Sequence, residues 1–295
     1  MRFEGVYVPS VTPFTDGGQV DFKAMRSHLE WLASNGVHGF VPCGTTSEAS
    51  LLQREERTEI LKLTKQVAQA HKLRVIAGCG SNSTDTVTDL IEEAHHLGCD
   101  AALVVTPYYV RPNARGVQAH YEAIAHRSQL PIILYNVPSR TNVPIPADLA
   151  VSLLQNLNIV GIKEASGSWS QWLAIARGTD THKKSLLAGD DDAFAAVLAL
   201  GGSGIISASA NVAPNAFVEI YNAFQKGDWK GGFGLQLRLQ RLVCALFLEP
   251  NPAPAKHALA LMGKMRPHVR LPLVPVTEET GREIRDALKE VELLG

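Results

Sequence analysis

Residues 157–165 read LNIVGIKEA, and Lys163 interrupts an otherwise apolar, β-branched run. Ile159, Val160, Gly161 and Ile162 read as a strand built for burial, and burying an ammonium ion without a partner is expensive. Two readings of the lysine follow. In one, Lys163 snorkels from a strand end into water or pairs with the adjacent Glu164. In the other, burial disfavours the ammonium form and yields a nucleophilic amine. Which one holds depends on the fold that the strand belongs to.

Seven similar runs surround this one. GVYVPSV (5–11), GFVPCG (39–44), RVIAGCG (74–80), AALVVTPY (101–108) and PIILYNV (131–137) precede it, and SLLAGD (185–190) and GSGIISA (202–208) follow. Their lack of strict polar alternation fits strands covered on both faces, as in a parallel sheet, and the segments between them have room for helices. One of these, DTVTDLIEEAHHLG, places Val87, Leu90, Ile91, Ala94 and Leu97 at helical spacing, with Asp85 as N-cap and Gly98 as stop. Eight β/α units predict an α/β fold, a (β/α)8 TIM barrel, and no GxGxxG follows the first strand to favour an open dinucleotide-binding sheet. After Pro214 the pattern is wholly helical. A last barrel helix at about 214–226 ends at Lys226-Gly227-Asp228, so the division expected is a barrel over 1–226 and a small C-terminal helical domain over 227–295.

Composition narrows the function classes. The 28 basic and 29 acidic residues nearly cancel without long runs of either sign, which gives no footprint for nucleic acid. No apolar stretch reaches the roughly 20 residues that span a bilayer, and MRFEGVYVPSVTPF lacks a signal-peptide core. The expectation is a soluble, cytoplasmic protein. Cys43, Cys79, Cys99 and Cys244 have no CxxC spacing and read as reduced thiols. The ten histidines form no HxH or HExxH pair, so no metal is expected. AGDDDAF (188–194) reads as a cap for the following helix, since consecutive aspartates point in different directions. GGSG (201–204) precedes its strand and is a poor phosphate loop.

Barrel active sites lie where the strands end. Lys163 closes the sixth strand, Tyr135 nears the end of the fifth, Tyr109 follows the fourth, and Thr45 and Thr46 follow the second. A lysine with a nearby phenol is the minimal equipment for Schiff-base chemistry on a keto acid, the amine attacking the ketone and the hydroxyl moving protons through the carbinolamine. GTTSEAS (44–50) offers hydroxyls just before an expected helix start, a site suited to a carboxylate or a simple helix cap. Arg140, in YNVPSRT, could hold a second carboxylate through its planar fork, or be a surface arginine in a turn.

GTTSEA, VVTPYY, LYNVPSRT, GIKEASG, AGDDDA, GIISASANVAP and EPNPAPAK, in this order and spacing, resemble the dihydrodipicolinate synthase and N-acetylneuraminate lyase superfamily, over essentially the whole chain. YNVPSRT and GIKEASG resemble its dihydrodipicolinate synthase branch. The resemblance implies a lyase that condenses pyruvate with L-aspartate-4-semialdehyde at the entry to diaminopimelate and lysine biosynthesis. It implies that Lys163 forms the imine with pyruvate, that Tyr135 relays protons, and that Thr45 links Tyr135 to a Tyr109 contributed by the neighbouring subunit. Thr45 and Thr46 would hold the pyruvate carboxylate, Arg140 that of the semialdehyde, and the backbone at Gly189 and Ile206 would complete the pocket. No metal or organic cofactor is implied. The implied assembly is a homotetramer, a dimer of tight dimers.

Two departures stand out. Ser47 occupies the position after the threonine pair where the family usually has glycine. The inhibitor site of lysine-sensitive relatives keeps Asn82 and Tyr108, but Ala49, Arg54, Arg57 and Thr86 differ, with the glutamate lost and two arginines added. Weak or absent inhibition by L-lysine is expected, with Asp85 as the substitute carboxylate should inhibition occur. The alternatives are a sister aldolase acting on a 2-keto-3-deoxy sugar acid or 4-hydroxy-2-oxoglutarate, and a silent keto-acid-binding barrel. An intact Thr45, Tyr109, Tyr135 and Lys163 argues against the silent barrel.

Overall fold

Strands covered on both faces need a second layer around them, and the chain supplies it by alternating strand and helix. The computed structural model describes residues 1–294. Its strands are β1 (Gly5–Val8), β2 (Gly39–Phe40), β3 (Arg74–Gly78), β4 (Ala101–Val105), β5 (Ile132–Asn136), β6 (Ile159–Glu164), β7 (Ser185–Ala188) and β8 (Gly204–Ile206). All pair in parallel in sequence order, and β8 returns to β1 to close the barrel. The helices are α1 (Phe22–Ser34), α2 (Arg54–His71), α3 (Thr84–His96), α4 (Ala114–Arg127), α5 (Pro138–Thr141), α6 (Ala147–Leu154), α7 (Trp169–Gly178), α8 (Phe194–Ala199), α9 (Pro214–Gln225), α10 (Trp229–Ala245), α11 (Ala253–Leu261) and α12 (Glu278–Glu290).

Two separate apolar clusters result. Phe3, Tyr7, Val41, Ile76, Leu103, Ile133, Leu187 and Ile206 fill the barrel interior, while the opposite strand faces pack outward against the helices. The outer cluster continues through α9 into α10 and α12, where Leu239, Leu242, Ile284 and Leu288 are buried. Glycine is required where strands approach closely: a Cβ on Gly78 would lie 2.2 Å from the Cys43 carbonyl oxygen.

Several local expectations need correction. The N-cap of α3 is Ser83, whose hydroxyl accepts from the Thr86 amide, and Asp85 sits in the first turn. Serine precedes the helix in extended geometry, which is what a cap requires, whereas Asp85 is already helical. The aspartates of AGDDDAF do not cap α8. Asp190 accepts from the Gly167 amide at 3.1 Å and Asp191 from the Ser209 amide at 2.9 Å, so they join loops across the barrel rim. Nor does α2 begin at GTTSEAS. Thr45–Ser47 and Ala49–Leu51 are two short 3-10 turns, and α2 starts only at Arg54. Cys43, Cys79 and Cys99 are free buried thiols, and Cys244 is free but exposed. No helix among the described residues is long and apolar enough to cross a membrane.

Candidate active site

The direction of Lys163 is set by an irregularity one turn of pleat earlier. Val160 lies in the interior cluster, so strict alternation would send Ile162 inward and Lys163 outward. The β5–β6 register shifts between Ile132, opposite Ile159, and Ile133, opposite Gly161. The extra residue flips the faces beyond it, so that Ile162 joins the outer cluster and Lys163 turns in. Gly161 makes the shift feasible, because a Cβ there would lie 2.4 Å from the Ser185 carbonyl oxygen.

Lys163 is 7% exposed, and its Nζ lies 4.2 Å from the centroid of the Tyr135 ring, its register partner on β5. It does not pair with Glu164. That carboxylate points outward, is fully buried, and accepts from Asn136 Nδ2 at 2.8 Å and the Ser166 amide at 2.7 Å. Lys163 therefore neither snorkels into water nor pairs with Glu164, which is already engaged. Asp190 lies close enough to Lys163 for their charges to interact, and burial pushes its carboxyl up to about 6, against the hydrogen bond from Gly167 and the attraction of Lys163. Burial likewise raises Asp191 above the ordinary carboxylate range.

A cavity of about 620 Å³ opens beside this pair. Thr45, Tyr135 and Arg140 line it together, so three of the predicted side chains converge on one space. Lys163 is not part of its wall and sits behind the Tyr135 ring. Thr46, next to Thr45 on the same loop, is buried at 3% exposure and is not part of the cavity wall. Gly189 follows β7 and Ile206 ends β8 on the same rim, and a Cβ on Gly189 would lie 2.6 Å from that of Ala165. Tyr109 does not reach this chain's cavity. It is 89% exposed with φ of 71°, a left-handed conformation costly for a bulky residue.

The same cavity extends toward the residues of the expected inhibitor site. Ala49, Arg54, Arg57, Thr86 and Tyr108 line it, whereas Asn82 is exposed outside the lining. The carboxylates there are Asp89 and Glu93, not Asp85, which is held by Arg127 at 2.9 Å on the surface. Glu93 lies 3.5 Å from the Arg57 guanidinium. Ser47 takes an ordinary helical conformation and donates to the Ser10 carbonyl at 2.6 Å, while the left-handed position falls on Glu48, with φ of 56°.

Sequence reasoning gave no role to Asn251, Lys256 and Glu48, which surround the threonine pair. Asn251 Nδ2 donates to Thr46 Oγ1 at 2.9 Å, and Lys256 and Glu48 form an ion pair with no solvent exposure of either side chain. The signal was present in EPNPAPAK and GTTSEA, where a lysine and a glutamate stand in largely apolar or turn-forming surroundings.

Comparison with known proteins agrees with this architecture. The model of the dihydrodipicolinate synthetase family matches residues 2–291. A Methanothrix thermoacetophila protein named 4-hydroxy-tetrahydrodipicolinate synthase is 43% identical over 289 residues, 98% of this chain and 97% of that one. The crystal structure of dihydrodipicolinate synthase from Thermotoga maritima superposes with a TM-score of 0.96 at 37% identity, covering 99% of both chains. The Acinetobacter baumannii enzyme, solved in complex with pyruvate, gives a TM-score of 0.95 at 40% identity, again over 99% of both. With a match of this length on a barrel that carries an inward lysine at the end of its sixth strand, the chain belongs to the dihydrodipicolinate synthetase family.

Proposed function

We propose that this chain condenses pyruvate with L-aspartate-4-semialdehyde to 4-hydroxy-tetrahydrodipicolinate, through an imine between pyruvate and Lys163. The Lys163 amine adds to the pyruvate ketone, and loss of water from the carbinolamine gives the imine. Removal of a methyl proton gives an enamine whose carbon attacks the aldehyde. The semialdehyde's own amine then displaces Lys163, closing the ring and returning the free lysine. Tyr135 moves protons to and from the carbinolamine oxygen, with Thr45 connecting it to Tyr109. Thr45 and Thr46 hold the pyruvate carboxylate, Arg140 binds that of the semialdehyde, and the rim at Gly189 and Ile206 closes the pocket. The reaction uses no metal or organic cofactor, since the imine itself is the electron sink.

The observation that carries this reading is Lys163, 7% exposed and directed over Tyr135 at the catalytic end of a barrel. Arg140 on the shared cavity favours a carboxylated aldehyde over the neutral sugar chain of a sister aldolase. Tyr108, Tyr109 and Val110 are all exposed, which supports a neighbouring subunit that receives Tyr109. The assembly we propose is a homotetramer of two such dimers in the cytoplasm, each subunit having a barrel over 1–226 and a helical appendage over 227–295. The test is turnover of pyruvate and the semialdehyde, coupled to NADPH oxidation by dihydrodipicolinate reductase, with borohydride trapping of pyruvate alongside. No pyruvyl adduct on Lys163 would refute the imine, and an adduct without turnover would refute the aldehyde.

A further inference from the structure

The loop that carries Thr45 and Thr46 is held from two sides. From the barrel side, Ser47 Oγ donates to the Ser10 carbonyl, and Thr12 Oγ1 donates to the Ser47 carbonyl at 2.8 Å. From the other side come residues more than 200 positions later in the chain. Asn251 Nδ2 donates to Thr46 Oγ1 at 2.9 Å. Lys256 Nζ pairs with Glu48 and donates to the His268 carbonyl at 2.7 Å, while the Arg270 amide donates to the second Glu48 oxygen at 2.9 Å. Arg270 also grips Glu56 with both terminal nitrogens and donates to the Leu51 carbonyl at 2.9 Å. Phe14 lies under both cations, 4.1 Å from Lys256 Nζ and 4.4 Å from the Arg270 guanidinium carbon.

An ion pair this deeply buried is poor evidence for stability by itself, because desolvation offsets much of the attraction. What it does supply is a fixed geometry. Glu48 is in a left-handed conformation that a non-glycine residue keeps only when its surroundings over-determine it, and two donors, the Lys256 ammonium and the Arg270 amide, hold its two carboxylate oxygens here. Glu48 lies two residues after Thr46, so fixing the one fixes the other. The Asn251 contact then acts on the hydroxyl directly. A threonine hydroxyl has one proton to donate and lone pairs to accept with. Once the Asn251 amide has filled an acceptor position, the Thr46 proton is directed away from Asn251 and is available to an anion.

We infer that Asn251 is a positioning residue for pyruvate recognition: its amide orients the buried Thr46 hydroxyl as a donor to the carboxylate, on a loop locked by Lys256 and Glu48. The C-terminal appendage thereby forms part of the keto-acid site without touching the substrate. This rests on the proposed function insofar as Thr46 receives the pyruvate carboxylate.

The experiment is the pyruvate concentration dependence of borohydride trapping on Lys163, read by intact-protein mass spectrometry, which needs no aldehyde. In Asn251→Ala the half-saturating pyruvate concentration should rise about tenfold, the size of one hydrogen bond to a charged group, while the adduct at saturation remains stoichiometric. Thr46→Val should give a similar rise, and Asn251→Ala added to Thr46→Val should change it by less than about twofold, since the two act through one hydroxyl. Should the alanine chain fail to fold, Asn251→Ser serves the same cycle, because it keeps a polar group yet falls short of Thr46. Independent tenfold effects that multiply in the double variant would overturn the inference, as would unchanged half-saturation in the single one. A wild-type protein that traps no pyruvate would overturn the imine reading and this inference with it.

Discussion

Replacing Arg140 by alanine separates the two substrates. Arg140 lies in the short helix α5, exposed and on the wall of the cavity shared with Tyr135 and Thr45. It differs in this from Arg57 and Arg270, whose guanidinium groups face Glu93 and Glu56. Truncating an exposed arginine without such commitments leaves no buried carboxylate unpaired, so the fold should change by no more than about 0.5 kcal/mol. What is lost is the contact with ligand. A guanidinium fork on a carboxylate contributes roughly 1.5–3 kcal/mol, which corresponds to a rise of about 10- to 150-fold in the KM for the semialdehyde. Pyruvate, which we propose is held by the threonine loop, should keep its KM to within about twofold. Arg140→Lys should recover part of the loss, because it restores the charge but not the planar fork. Initial rates in the reductase-coupled assay, with each substrate varied at saturating levels of the other, give both constants. Equal rises in the two KM values would refute the assignment of Arg140 to the aldehyde.

Inhibition by L-lysine should be weak or absent at submillimolar concentration, because Arg54 and Arg57 face the cavity and Glu93 already faces Arg57; strong inhibition in an isothermal titration would instead assign the ligand's ammonium to Asp89. His28 is 2% exposed, and burial draws it from 6.5 down to about 4 despite the hydrogen bond with Asn211 at 3.0 Å. Between those values the unfolded chain binds more protons than the folded one, so stability is complete above pH 6.5 and falls as pH drops toward 4, by on the order of 3 kcal/mol for a fully buried imidazole. Burial acts in the same direction on His120, also drawn down to about 4. Urea midpoints at pH 7 and pH 4.5 should therefore differ less in His28→Gln than in the wild type, and equal losses would remove His28 from the acid response. Gly189→Ala places a Cβ 2.6 Å from that of Ala165 and 2.9 Å from the Glu164 carbonyl. It should cost about 1–3 kcal/mol by overpacking and lower turnover through displacement of the rim, whereas unchanged melting temperature and rate would show that the rim accommodates it.

Much of this arrangement is legible in the sequence. Eight short apolar runs without alternation, separated by amphipathic segments, already required a parallel sheet covered on both faces, and the observed strands fall within those runs. Helices over Pro214–Gln225, Trp229–Ala245, Ala253–Leu261 and Glu278–Glu290 match the periodic segments after Pro214. Local detail is less legible there. The N-cap of α3 shifted from Asp85 to Ser83, the threonine loop ran into 3-10 turns instead of a helix, and the aspartates after β7 bound neighbouring loops instead of capping. These differences share one cause: a polar side chain near a helix start has several backbone partners within reach, and tertiary neighbours choose among them.

The sequence by itself determined the strand and helix order, the barrel that order closes into, and the presence of a lysine, a phenol and paired threonines where strands end. The tertiary structure decided which way those groups face. Lys163 would point outward under simple alternation, and it turns into the barrel because β6 pairs with β5 through an extra residue at Val160 and Gly161. Pairing register is a property of two strands together, so neither strand's sequence contains it. The same holds for Thr46, whose hydroxyl is oriented by an asparagine 205 residues away, a separation that only the folded chain brings within a hydrogen bond.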